Sequence, residues 1–244
     1  MTSALRQPRA VSFDFGQTLA ELDTGLLAAR VRERGVSADE ARLEAAVPAA
    51  WHAYNDAVRA GTSGHPWKLL MATLLREGGV ALAAVDELTE FLWDEQPKKN
   101  LWRRPIPGMI ELVRELGAAG VPVAVLSNSE GKLFELVVEL GWEADFLAVA
   151  DSGKLGMEKP ERPIFEWTRE RLGVAMDEVV HVGDSVAADV AGALRAGMRA
   201  VWFKGEADRV SERLGEVEPG RLALADDAPS LRAVLSAWGL EGLR

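Results

Sequence analysis

Ala10-Val11-Ser12-Phe13-Asp14-Phe15-Gly16-Gln17 is a short apolar run that carries one carboxylate near its end and then meets a glycine. Its length and its closing turn signal read as a buried strand followed by a turn. The same form returns at Val121–Leu126, Phe146–Val149, Val179–Val182 and Ala200–Phe203. Segments with helical spacing lie between these runs, among them Ile110–Ala118, Lys132–Leu140, Ile164–Leu172 and Ala188–Ala196. Strand and helix therefore alternate, which predicts an α/β fold with a doubly wound, Rossmann-like parallel sheet. In such a sheet ligands bind outside the carboxyl ends of the strands, and Asp14, Ser127 and Asp184 all fall there.

One region breaks the alternation. From Leu22 to about Trp102 the chain is rich in Ala, Leu, Glu and Arg, with helical periodicity and no strand pattern. This predicts an inserted all-helical subdomain over 22–102, with the α/β core formed by 1–21 and 103–244. Arg103-Arg104-Pro105-Ile106-Pro107-Gly108 marks the return, because closely spaced prolines and a glycine oppose helix continuation. Trp51, Tyr54, Trp67, Trp93 and Trp102 read as helix-packing core or as pocket lining. Arg30, Arg32 and Arg34 read as a solvated face.

The chain has 244 residues, 48% of them apolar, enough for one large domain or for a core with an insertion. A net charge of -10 argues against broad binding to nucleic acid or to an anionic membrane surface, since a polyanion needs a basic face. There is no cysteine, so any metal must use carboxylate, carbonyl or imidazole ligands, a donor set that favours a hard ion such as magnesium. Met1–Ala10 lacks a secretory apolar stretch and no charge-free run reaches membrane-spanning length, so the expectation is a cytoplasmic protein, monomer or homodimer.

Four short segments carry candidate chemistry. Asp14 ends an apolar strand, where an unpaired carboxylate needs a cation or several donors, although an aspartate there also suits a plain turn. Leu126-Ser127-Asn128-Ser129 follows a second strand and offers a hydroxyl and backbone N–H groups to an anion, or is simply a polar loop. Gly156-Met157-Glu158-Lys159-Pro160 holds a lysine between a glycine and a proline; alone it would be a solvated charge. Val182-Gly183-Asp184-Ser185-Val186-Ala187-Ala188-Asp189 is the most specific, because Asp184 ends a strand and Asp189 falls in the first turns of the following helix. Two carboxylates can then approach one cation, while Gly183, Gly192 and Gly197 serve turns or close packing.

In this order the four segments resemble the motifs of the haloacid dehalogenase superfamily, and more narrowly its phosphatase-like members with a helical cap inserted after the first motif. The resemblance covers nearly the whole chain. It implies a hydrolase that acts on a small phosphorylated metabolite, with Asp14 attacking phosphorus to form an aspartyl-phosphate that water then cleaves. It also implies Mg2+ held by Asp14, Asp184 and the backbone carbonyl of Gly16, with Asp189 either a ligand or a carboxylate just behind the ligands. Ser127 and the N–H of Asn128 would bind a phosphoryl oxygen, Lys159 would offset the clustered negative charge, and Thr18 would order the first turn.

Gly16 departs from that pattern. Residues two apart on a strand face the same side, and at this position the phosphatase relatives carry a second aspartate that protonates the leaving group and later activates water. Glycine does neither, and the Gln17 amide is no substitute. Three routes stay open: a proton from His52 or His65 in the helical region, a substrate such as an acyl phosphate that needs no acid, or a protein that binds a phosphorylated ligand or a partner with little turnover. Phosphonatase chemistry, with Lys68 as its Schiff-base candidate, and metal-free dehalogenation fit the residues less well.

Overall fold

The computed structural model describes residues 5–60 and 66–240. His65 lies outside them. The chain divides into two compact units, one running to Glu21 and resuming at Trp102, the other spanning Leu22–Leu101.

The first unit is built on six strands: β1 (Ala10–Phe13), β4 (Val123–Ser127), β5 (Ala148–Asp151), β6 (Val179–Gly183), β7 (Arg199–Phe203) and β8 (Leu222–Ala225). A separate two-stranded ribbon pairs β2 (Ala20–Leu22) with β3 (Trp102–Pro105), so the chain leaves the sheet unit through one strand and returns through the other. The six strands lie in the order β5-β4-β1-β6-β7-β8, and every pairing is parallel. Starting from the central β1, the chain builds outward to β5 on one side and then to β8 on the other. The direction of winding reverses beside β1, which opens a crevice at the carboxyl ends of β1, β4 and β6. The expected α/β parallel fold is therefore present. The structure adds β2, β3 and β8, which the sequence pattern did not single out.

Helices α5 (Met109–Ala118), α6 (Leu133–Glu139), α7 (Ser152–Leu155), α8 (Arg162–Leu172), α9 (Ala191–Ala196), α10 (Val210–Leu214) and α11 (Ala228–Ala237) belong to the same unit. In α8, Ile164, Phe165, Thr168 and Leu172 are buried, a spacing that puts one stripe of the helix against β4 and β5. Full burial of Phe165 contributes about 1.5–3 kcal/mol. The helix expected over Ala188–Ala196 differs at its start: Val186–Val190 forms a π turn, and regular α9 begins only at Ala191.

The second unit is helical: α1 (Thr24–Glu33), α2 (Glu40–Arg59), α3 (Trp67–Glu77) and α4 (Val85–Glu95). Asp23 caps α1 by accepting from the Leu26 N–H at 2.8 Å, a contact worth about 1 kcal/mol. Trp67 is buried in the packing of this unit and meets Trp93 edge-on at 5.3 Å. Arg30 corrects the solvated-face reading. It is buried, and its guanidinium donates to the Lys99 carbonyl at 2.5 Å, while Arg32 and Arg34 are exposed. Among the described residues no helix is long and apolar enough to cross a membrane.

Candidate active site

Strand register places the site. Phe13 pairs with Val125 on one side and Val182 on the other, so Asp14, Ser127 and Asp184 emerge together where β1, β4 and β6 end. The Asp14 N–H donates to the Val182 carbonyl at 2.8 Å, which carries the ladder one residue beyond β1.

Lys159 joins these ends. Its ammonium donates to Asp14 Oδ1 at 2.6 Å, to Asp189 Oδ1 at 2.5 Å and to the Leu126 carbonyl at 2.9 Å, using all three of its protons. The backbone of Lys159 is held as firmly as its tip. Asn128 Oδ1 accepts from the Lys159 N–H at 2.8 Å, and Asn128 Nδ2 donates to the Lys159 carbonyl at 2.9 Å. The Asn128 side chain is thus committed to Lys159, which leaves its backbone N–H as the group that remains for a ligand. The neighbouring loop is tied down by Asp151, a residue that sequence reasoning passed over. Its carboxylate accepts from the Ser129 hydroxyl at 2.7 Å and from the backbone N–H groups of Gly131, Leu133 and Gly153 at 2.9–3.1 Å.

Asp14, Asp184 and Asp189 each present a carboxylate oxygen, and these atoms all lie within 4.8 Å of one another. Burial pushes the Asp184 carboxyl well above the usual carboxylate range, and the charges of Asp14 and Asp189 push the same way. Asp14 is also raised, by burial first and by Asp189, against the opposing pull of Lys159. Asp189 goes the other way. Burial would raise it, but the Lys159 charge and the hydrogen bond from His181 hold it down to about 2. Burial likewise opposes the Lys159 ammonium, yet Asp14 and Asp189 bring it up to about 12. With all groups ionised, three carboxylates and one ammonium leave two uncompensated negative charges in a buried space. The donors are all hard oxygens, so a divalent ion such as Mg2+ fits both the charge and the chemistry of the set.

Gly183 makes the arrangement possible. A Cβ at this position would lie 2.3 Å from Asp189 Cγ and 2.5 Å from Asp189 Cβ, so only glycine lets that carboxylate approach β6. The π turn carries Asp189 into this space, with both Asp189 N–H and Val190 N–H donating to the Ser185 carbonyl at 2.9 and 3.1 Å. Of the other two glycines, Gly192 is a close-packing position against Phe165, and Gly197 closes α9 with φ 102°.

The sequence pattern of the haloacid dehalogenase-like hydrolases matches residues 8–197. The chain belongs to that family. Across 96% of its length this haloacid dehalogenase-like hydrolase is 26% identical to a relative from Mus musculus, haloacid dehalogenase-like hydrolase domain-containing protein 3, of which 95% is covered. It is 38% identical to the glyceraldehyde 3-phosphate phosphatase of Methanopyrus kandleri over 41% of this chain and 43% of that one. It is 34% identical to the phosphoserine phosphatase of Thermus thermophilus over 52% of this chain and 50% of that one. The chain therefore spans about half the length of these two phosphatases. A magnesium-bound HAD-hydrolase from Bacillus subtilis shares its fold, with a TM-score of 0.64 over 94% of this chain and 99% of that one at 17% identity.

At Gly16 the structure of this haloacid dehalogenase-like hydrolase shows a neighbour that sequence reasoning had placed with the helical region. Trp102 belongs to the sheet unit, and its Cδ1 lies 3.3 Å from where a Cβ on Gly16 would stand. The turn after Asp14 closes through its backbone, with Leu19 and Ala20 N–H donating to the Phe15 carbonyl at 2.9 Å. The Thr18 hydroxyl is buried and has no hydrogen-bond partner among the described residues. In the helical unit Lys68 is paired with Glu90 at 2.6 and 2.8 Å, and His52 is exposed beside Asp56.

Proposed function

We propose that this chain is a magnesium-dependent phosphohydrolase of a small phosphorylated metabolite, with Asp14 as the nucleophile. The observation that carries the reading is the Asp14 carboxylate itself, buried at the sheet crevice, held at 2.6 Å by Lys159 and within reach of two further carboxylates. The phosphatase names of partial relatives support the same class of substrate.

On this reading one Asp14 oxygen forms a bond to phosphorus as the ester P–O bond breaks, giving an acyl phosphate that water later cleaves to inorganic phosphate and free Asp14. Lys159 holds the attacking carboxylate in place and offsets its charge. The Ser127 hydroxyl and the Asn128 N–H take a phosphoryl oxygen. Asp14, Asp184, the Gly16 carbonyl and Asp189 would hold the magnesium, which when bound supplies the charge that lets a carboxylate and a phosphate approach.

Gly16 and Trp102 together shape the choice of substrate. Glycine at 16 offers no carboxyl to protonate the leaving group, so a departing oxygen that is stable without a proton, as in an acyl phosphate, is favoured over an alkoxide. The same observation supports a second reading, in which attack occurs and hydrolysis is slow. Incubation with magnesium and a panel of phosphomonoesters and acyl phosphates, followed by phosphate release and intact mass, separates the two. Turnover lost on chelation and in Asp14→Asn is the expected result. A phosphorylated protein with negligible release selects the second reading, and neither release nor adduct with any substrate overturns both. In a Trp102→Leu background, Gly16→Asp should raise release from phosphomonoesters by about 100-fold while leaving acyl phosphates little changed.

A further inference from the structure

Two buried polar side chains adjoin the site without a part in the chemistry above. Ser12 and His181 are register partners on β1 and β6, and they are 0% and 1% exposed. Ser12 lies two residues before Asp14 and so faces the same side of the sheet, as His181 does with respect to Gly183. Gly183 has no side chain, and Asp189 fills the space it leaves. The result is a continuous buried row: Ser12 Oγ to His181 Nδ1 at 2.9 Å, His181 Nε2 to Asp189 Oδ1 at 3.2 Å, Asp189 Oδ1 to Lys159 at 2.5 Å, and Lys159 to Asp14 Oδ1 at 2.6 Å.

Proton directions follow from the chemistry of the row. An ionised carboxylate only accepts, so His181 Nε2 carries the hydrogen that bonds Asp189. In the neutral ring Nδ1 then accepts from the Ser12 hydroxyl, which fixes the tautomer. Phe165 meets the imidazole edge-on at 5.6 Å and closes the remaining side. Asp189 Oδ2 is separately held by the Ser185 N–H at 2.9 Å. Asp189 is thus gripped at each oxygen from a different element, by β6 through His181 at one and by its own turn at the other. A histidine needed only to fill the strand position could be replaced by an apolar side chain at no desolvation cost, yet here both ring nitrogens are bonded along the row that ends at Asp14.

We propose that His181, oriented by Ser12, is a positioning residue that fixes the Asp189 carboxylate and through it the Lys159 ammonium against Asp14. Where turnover is the readout, the proposal rests on the phosphohydrolase reading. The test compares His181→Leu, which removes the donor, with His181→Gln, whose amide nitrogen can stand near the place of Nε2; Ser12→Ala is the milder variant should the leucine form fail to fold. With p-nitrophenyl phosphate and magnesium, His181→Leu should lower kcat by about tenfold with KM little changed, and His181→Gln should recover most of that loss. A crystal structure of His181→Leu should show the Asp189 carboxylate rotated and Lys159 Nζ beyond hydrogen-bond distance of Asp14. That arm needs no turnover and so separates failure of this proposal from failure of the phosphohydrolase reading. A wild-type kcat in His181→Leu, equal losses in the leucine and glutamine forms that follow their melting temperatures, or an unmoved Lys159–Asp14 pair would each overturn it.

Discussion

Lys159 in the sheet unit and Lys68 in the helical unit hold carboxylates at nearly the same distances, 2.5 and 2.6 Å in one case and 2.6 and 2.8 Å in the other. Their surroundings differ. The Lys159 side chain is 2% exposed and its partners Asp14 and Asp189 are 10% and 1% exposed, whereas Lys68 and Glu90 are 47% and 64% exposed. Water solvates the ions of the second pair whether or not they meet, so its net worth is small. In the first pair water is excluded, and each charge depends on the other for compensation. Contact distance therefore says little about which lysine matters, and burial says most of it. The same contrast counts against Lys68 as a Schiff-base candidate, since its ammonium lies in an exposed ion pair with Glu90.

The comparison is broken most severely by Lys159→Met, which keeps the stem and leaves Asp14 and Asp189 buried without a counter-charge. Chemical denaturation should show a loss of about 3–5 kcal/mol, and phosphate release should fall by about 100- to 1000-fold. A loss near that of a surface pair would mean that burial is not the deciding variable. Gly183→Ala sharpens the contrast from the other side, because it leaves every charge in place and adds only a methyl group where Asp189 stands. The expected cost is about 1–3 kcal/mol in the same measurement; unchanged stability would show that Asp189 gives way freely. Lys68→Met should cost about 0–1 kcal/mol, with a difference from wild type that shrinks as salt is added.

Much of the frame was legible in the sequence because its signals are local. Buried parallel strands such as Ala10–Phe13 and Val179–Gly183 are short apolar runs beside turn residues, and the site aspartates sit where those runs stop. The strand β8 was passed over for a physical reason: Leu222–Ala225 contains no β-branched or aromatic residue and is only partly buried, so nothing in its composition separates it from a helical turn. The strands β2 and β3 are short and pair with each other across the length of the helical unit, a non-local contact that no window of sequence contains. His181 and Ser12 escaped notice for the same reason. Each reads as an ordinary strand residue, and only the pairing of β1 with β6 sets them side by side. Arg30 was misread because an arginine on a helix is usually solvated, and its burial depends on carbonyls far along the chain. Asn128 was read as a ligand contact through its backbone N–H, and the separate role of its amide, which grips the Lys159 backbone, had no local signal.

The crowding of Trp102 against Gly16 makes these two positions one variable. A carboxylate placed at 16 meets an indole before it meets a substrate, so the two substitutions will not combine additively. Their order then matters. Changing Trp102 first opens room and leaves the turn after Asp14 untouched, whereas changing Gly16 first forces the ring or the turn to move. A survey of single substitutions would score both positions as indifferent or harmful and would pass by the form in which they change together.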